Sequence, residues 1–213
     1  MPTAAQPESL ISPARPVPPE PMTYEQFLVW GEKEEAHTEW VDGKVVFMSP
    51  VSREHATISE FLFKTISTFV EARQLGEVHA DPFQMKTGPD LPGRAPDILF
   101  VAQENLARFK RNYLDGPADL AVEVISPDSR GRDRGEKYCE YEQGGVKEYW
   151  LIDPLRQKAE FYELGQDGFY RPMTVELDGR FQSVVLPEFW LKVEWLWQRP
   201  LPTLKYLLHE WGL

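Results

Sequence analysis

The chain has 213 residues, 42% of them hydrophobic, with seven Trp and a formal net charge of −11 at pH 7. That length and apolar content are enough for a sizeable core, and no apolar run reaches the roughly 20 residues that a membrane-spanning helix needs. The acidic balance argues against a protein that coats nucleic acid through a basic surface, but an acidic metal site beside a local basic patch remains compatible with it.

Residues Met1 to Pro21 hold seven of the 19 prolines and almost no apolar periodicity, which predicts a disordered, Pro-rich leader over 1–21. The N-terminus has no basic, apolar, small-residue succession, so no signal peptide is expected. Cys139 is the only cysteine, which rules out an internal disulfide and suits a reducing, cytoplasmic compartment.

Order is expected from Thr23, an N-cap for a short helix through Phe27 and Trp30. Thr38 to Val41 and Lys44 to Met48 flank Asp42-Gly43, the preferred two-residue hairpin turn. Ser52 opens a long helix, in which Ile58, Phe61, Leu62, Thr65, Ile66, Phe69 and Val70 keep helical spacing and Gly76 lies past the end. Val78 to Lys86 and Pro96 to Val101 read as strands, as does the apolar run Leu120 to Ser126 around Glu123. Arg132 to Gln143 reads as a helix closed by Gly144-Gly145, followed by strands over Val146 to Asp153 and Gln157 to Leu164. Phe169 to Leu177 and Arg180 to Leu186 read as a hairpin turning at Asp178-Gly179. A final helix, Thr203 to Trp211, puts Leu204, Leu207, Leu208 and Trp211 on one face, for the core or for a dimer contact. The pattern predicts an α/β fold with a mixed sheet flanked by helices, one domain over 22–213.

Two carboxylates stand out. Asp97 heads an apolar strand directly after Pro96, and Glu123 lies inside the next, sharing its face with Ala121 and Ile125. A bare carboxylate in an interior strand is costly unless a positive group compensates it. Two carboxylates on neighbouring strand ends with a lysine nearby can hold a hard divalent cation such as Mg²⁺ or Mn²⁺. Asp97 could equally cap a turn, and Glu123 could pair with an arginine.

The strand position two residues after Glu123 is Ile125, so a cation must come from elsewhere, and Lys137 on the following helix is the choice. Arg130, Arg132 and Arg134 compete for that place or contact phosphates. Glu39 could add an oxygen ligand, His55 could carry a proton, Glu148 could brace a cation, and Tyr141 could pack beside the lysine stem. Neither a phosphate-binding glycine loop, a zinc spacing nor a serine-hydrolase elbow is present.

Taken in order, Glu39-Trp40-Val41-Asp42-Gly43-Lys44-Val45, His55, Pro96-Asp97, Glu123-Val124-Ile125-Ser126-Pro127, Asp133 with Lys137 and Tyr141, and Gly145 to Pro154 form a familiar series. Over roughly Met22 to Leu196 the chain resembles the Uma-type restriction endonuclease family, a branch of the PD-(D/E)XK nuclease superfamily. The resemblance implies a restriction-endonuclease-like mixed sheet flanked by helices, with additional C-terminal antiparallel strands. It also implies Mg²⁺-dependent phosphodiester hydrolysis, nucleic acid (DNA first) as partner, and a homodimer. Asp97 and Glu123 match the metal-binding carboxylates, Lys137 a lysine displaced from strand to helix, and Glu39 an upstream acidic position. The alternative is a catalytically silent nuclease-fold module that binds nucleic acid or protein. A two-carboxylate glycosidase would need its acids flanking a sugar cleft, and nothing in the spacing requires that.

Overall fold

The computed structural model describes residues 16–34, 36–127 and 129–213. Most of the expected leader, residues 1–15, therefore lies outside the described residues. Chain contacts begin before Thr23: Glu20 Oε1 accepts from Val45 N, and Met22 N donates to Gly43 O.

The first elements are α1 (Tyr24–Glu34) and the hairpin β1 (Thr38–Val41) and β2 (Lys44–Phe47). Its two turn residues, Asp42 and Gly43, both have positive φ, 49° and 80°, the conformation that matches the twist of the paired strands. Next come α2 (Arg53–Arg73), β3 (Gly76–Ala80), β4 (Gln84–Lys86), β5 (Gly93–Arg94), β6 (Ile98–Ala102), β7 (Tyr113–Asp115) and β8 (Leu120–Val124). A π-helical turn, Arg132–Glu136, leads into α3 (Lys137–Gly144). The chain ends with β9 (Glu148–Asp153), β10 (Lys158–Leu164), β11 (Tyr170–Pro172), β12 (Arg180–Gln182), β13 (Trp190–Lys192) and α4 (Leu204–Glu210).

The expected mixed sheet has six strands in the order β11-β10-β9-β8-β6-β3. Only β8 and β9 run parallel, and the turn and α3 between them supply the crossover that parallel neighbours need. A second mixed sheet has the order β2-β1-β5-β4-β7, and β12 pairs with β13 as the C-terminal antiparallel addition.

Two strand expectations need correcting. Val78 to Lys86 is not one strand, because the chain turns at Asp81-Pro82: β3 pairs with β6, while β4 joins the other sheet. Proline lacks the N–H that a continuous ladder would require there. The bend at Asp178-Gly179 does form, with Glu176 N donating to Arg180 O. Its arms find other partners, however, since β11 pairs with β10 and β12 with β13.

The six-stranded sheet buries both faces. On one, Ile98, Phe100, Val122, Val124, Trp150 and Ile152 pack against α2 and the C-terminal elements. Ser52 caps α2 by accepting from His55 N, and the predicted face of that helix is buried together with His55. Leu207 and Trp211 belong to this core, with the Trp211 ring 5.1 Å from that of Phe69, so α4 packs inward. On the other face, Leu99, Val101, Ala121, Ile125, Tyr149 and Leu151 meet Tyr141 of α3 and Met85 and Leu114 of the small sheet. Each fully buried Leu, Ile or Phe stabilises by roughly 1.5–3 kcal/mol, so these two layers fix the strand faces. Glu123 pairs in register with Leu151 and therefore points to the α3 side.

Candidate metal and catalytic site

The β8 strand places Glu123 in the α3-facing layer, where it is 4% exposed. Lys137 and Tyr141, one turn apart on α3, meet the same oxygen: Lys137 Nζ and Tyr141 OH each lie 2.8 Å from Glu123 Oε1. Lys137 Nζ is also 3.0 Å from Glu39 Oε1 and 3.8 Å from Asp133 Oδ1. Arg94 of β5 closes the chain of charges. Its Nη1 is 2.9 Å from Glu39 Oε2, and its Nε and Nη2 form a fork on Glu140, each contact 2.7 Å. The backbone reaches this spot because Gly93 presses against α1; a Cβ there would fall 2.2 Å from the Tyr24 ring.

Asp97 bridges two elements at the sheet end. Its Oδ2 accepts from Val124 N at 2.6 Å, and its Oδ1 is 3.3 Å from His55 Nε2. Asp97, Glu123, Asp133, Lys137, His55 and Arg132 line one small cavity of about 120 Å³. Glu39 is completely buried behind Lys137, where it also accepts from Ala95 N at 3.3 Å.

Electrostatics divide the acids. Burial alone would raise the Glu39 pKa, but Lys137 and Arg94 outweigh it and hold the carboxyl at about 2. Burial pushes Glu123 well up, and the nearby Asp133, Asp97 and Glu39 carboxylates add to that against Lys137. Asp133 is likewise raised, chiefly by burial. Burial would lower Lys137, but Glu123, Glu39 and Asp133 together raise it, so the ammonium is charged. Burial would also lower His55, and Asp97 reverses the sign.

Asp133 was visible in the sequence only as a residue four positions before Lys137. It is 1% exposed, and neither of its carboxylate oxygens has a hydrogen-bond partner. It projects from the π-helical turn, a geometry that recurs at functional sites. Oxygen donors from Asp97, Glu123 and Asp133 suit a hard cation such as Mg²⁺, and the Asp133 oxygens, whose Lys137 contact at 3.8 Å is longer than a hydrogen bond, retain the capacity to accept one. Among the described residues, no three His, Cys, Asp or Glu side chains converge closely enough to hold an ion as they stand. The carboxylate oxygens are donors of the kind a hard cation takes, but the three side chains do not converge on one point.

Other expected residues separate. Arg130 Nη2 sits 3.1 Å from Asp153 Oδ2, and Arg134 pairs with Glu160 and, at 3.9 Å, with Asp153, so only Arg132 of the three lines the cavity. Glu148 does not brace Lys137. It lies on the opposite sheet face with Trp150, where it accepts from Trp150 Nε1, Ser183 Oγ, Val184 N and Val185 N. Strand parity is the reason, because Glu148 and Glu123 fall on alternate faces of the paired strands. Arg94 and Glu140 were not anticipated, since their fork depends on the pairing of β5 rather than on local pattern.

Comparison with known proteins agrees with this architecture. An uncharacterised protein, slr1290, of Synechocystis sp. (strain PCC 6803) is 23% identical over 172 residues, covering 80% of this chain and 88% of that protein. A crystal structure described as a "putative nuclease belonging to DUF820" from Anabaena variabilis ATCC 29413 superposes with a TM-score of 0.67 at 20% identity. That match covers 88% of this chain and all of the other, and it shows a shared fold. The Uma2 family, described as "Putative restriction endonuclease", matches residues 24–194. With its carboxylates, helix-borne lysine and mixed sheet in place, the chain belongs to the Uma2 family.

Proposed function

We propose that this protein is a divalent-metal-dependent nuclease that hydrolyses phosphodiester bonds in nucleic acid, DNA first, and that it works as a homodimer with Mg²⁺ or Mn²⁺. The observation that carries this reading is one cavity lined by Asp97, Glu123, Asp133 and Lys137 in a chain of a nuclease family. A bound Mg²⁺ would supply Lewis-acid polarisation of a phosphoryl oxygen and a more acidic water. Asp97, Glu123 and Asp133 would hold the cation. Lys137, kept charged by its carboxylate neighbours, would offset negative charge building on the phosphoryl oxygens. Arg132, at the cavity wall, would contact a non-bridging phosphate oxygen.

The test is nicking of supercoiled plasmid in Mg²⁺ or Mn²⁺ by wild type, Asp97→Ala and Glu123→Ala. Loss of nicking in both variants is expected; undiminished nicking in both would remove the site. A second reading, a silent nuclease-fold module, is favoured by one observation: Glu123 already accepts from both Lys137 and Tyr141 on one oxygen. Calorimetric titration decides between them, since the silent module would show no Mn²⁺ binding that depends on Asp97 and Glu123.

A further inference from the structure

The catalytic cavity does not end at its carboxylates. His55 and Asp97 also form the wall of a wider groove of about 590 Å³, and His37, Met48 and Val51 are common to both spaces. The far wall of the groove is a second stripe of α2, Ala56, Ser59, Glu60 and Phe63, set beside the buried stripe at helical spacing. Three apolar side chains, Met48, Val51 and Phe63, line a space also edged by the hydroxyls of Ser49 and Ser59 and by the carboxylates of Glu60, Asp81 and Asp97, the last two paired with the imidazoles of His37 and His55. Apolar walls with a few polar groups suit a flat heterocycle whose faces are greasy and whose edge hydrogen-bonds.

The charge distribution points the same way. Binding a continuous duplex relies on lysines and arginines that neutralise a run of phosphates. Here the net charge is −11, and Arg130 and Arg134 are engaged by Asp153 and Glu160. Recognition by insertion of a base draws on stacking and on hydrogen bonds to the base edge in addition to phosphate contacts. A base attached through its sugar to a phosphate in the Asp97–Glu123 cavity would meet the adjoining groove first, because the two share a wall. In a duplex that base is paired and stacked, and it can enter only by leaving the stack.

We infer that this groove receives one unstacked nucleobase beside the reacting phosphate, so that the substrate is single-stranded or locally unpaired nucleic acid rather than continuous duplex. This rests on the nuclease reading of the cavity. The chemistry recognised is the nucleobase itself, which either DNA or RNA can supply.

The experiment is fluorescence anisotropy with a fluorescein-labelled 15-nucleotide DNA strand, the same sequence as RNA, and the blunt DNA duplex, all in Ca²⁺. Wild type and Ala56→Trp are compared; Ala56 is an exposed helix position in the groove wall, from which an indole would occupy the groove on its α2 side while every proposed metal-binding carboxylate is retained. Wild type should bind at least one of the strands tenfold or more tighter than the duplex, and the tighter of DNA and RNA identifies the source. Ala56→Trp should weaken strand binding at least tenfold while leaving calorimetric Mn²⁺ binding unchanged. Duplex binding as tight as strand binding, no binding of either strand, or an unaltered strand affinity in a folded Ala56→Trp protein would each overturn the inference. The wild-type comparison stands even if the variant does not fold. Strand preference without metal-dependent cleavage would retract the nuclease reading and leave the groove; duplex cleavage without strand preference would do the reverse.

Discussion

Lys137 reaches Glu123 from a helix, its Nζ 2.8 Å from Oε1, while the strand position that could have offered a cation on the same face holds the buried Ile125. The ammonium is shared by three carboxylates, so it helps to hold this layer together. Lys137→Met is expected to leave Glu39, Glu123 and Asp133 without that cation, and breaking such a buried pair costs about 3–5 kcal/mol. For a chain of this size that lowers Tm by roughly 10 °C. Thermal melting by circular dichroism checks it, and a Tm within two or three degrees of wild type would contradict the shared-charge account.

Asp97→Asn separates function from fold. The amide oxygen can still accept from Val124 N, so Tm should stay within about 3 °C of wild type, a loss of no more than roughly 1 kcal/mol. Mn²⁺ affinity by calorimetry should fall at least tenfold and nicking should disappear. Tight Mn²⁺ binding in the variant would move the cation site elsewhere.

Glu39 gives a pH signature. Its folded pKa, about 2, lies below the ordinary 4.5, so it contributes stability that is present above pH 4.5 and is lost as pH falls towards 2. The shift corresponds to about 3 kcal/mol for this buried group. Glu123 and Asp133, whose pKa values are raised, act with the opposite sign. The comparison is therefore Glu39→Gln against wild type at each pH. Urea unfolding should show the variant clearly weaker at pH 6 and the gap closing below pH 4; a gap that is constant with pH would refute the assignment.

Glu148 is expected to matter for stability alone. Glu148→Ala removes an acceptor from Trp150, Ser183, Val184 and Val185, leaving two buried donors, Trp150 Nε1 and Ser183 Oγ, unpaired at about 1–3 kcal/mol each before relaxation, with two part-buried amides beside them. Chemical denaturation should show a loss of several kcal/mol. Mn²⁺ affinity of the folded variant should match wild type, whereas a selective loss of metal binding would reassign Glu148 to the site.

Much of this was legible in the sequence because it is local. The Asp42-Gly43 turn, the buried face of α2, the side of the sheet that Glu123 faces, and the helix that carries Lys137 and Tyr141 all follow from period and turn chemistry. What escaped is what depends on distant pairing. Arg94 and Glu140 meet only because β5 docks beside β1, and nothing within a short window encodes that. The separation of β3 from β4 was marked by Pro82, but which sheet each half would join was not. Asp133 carried a local signal, its spacing from Lys137, yet its lack of hydrogen-bond partners emerges only once the layers close over it.

The wide turn at Arg132–Glu136 makes the lysine's position a matter of chain length as well as of chemistry. Each residue of an ordinary helix advances the side chain by about 100°. Deleting one residue from this turn would have to rotate α3 by that amount or pull apart the hydrogen bonds between Ser126 and Ser129 that precede it. In the first case Lys137, Glu140 and Tyr141 would leave Glu123 and Arg94 together. A one-residue indel here, with every named side chain still present, would therefore act like three substitutions at once.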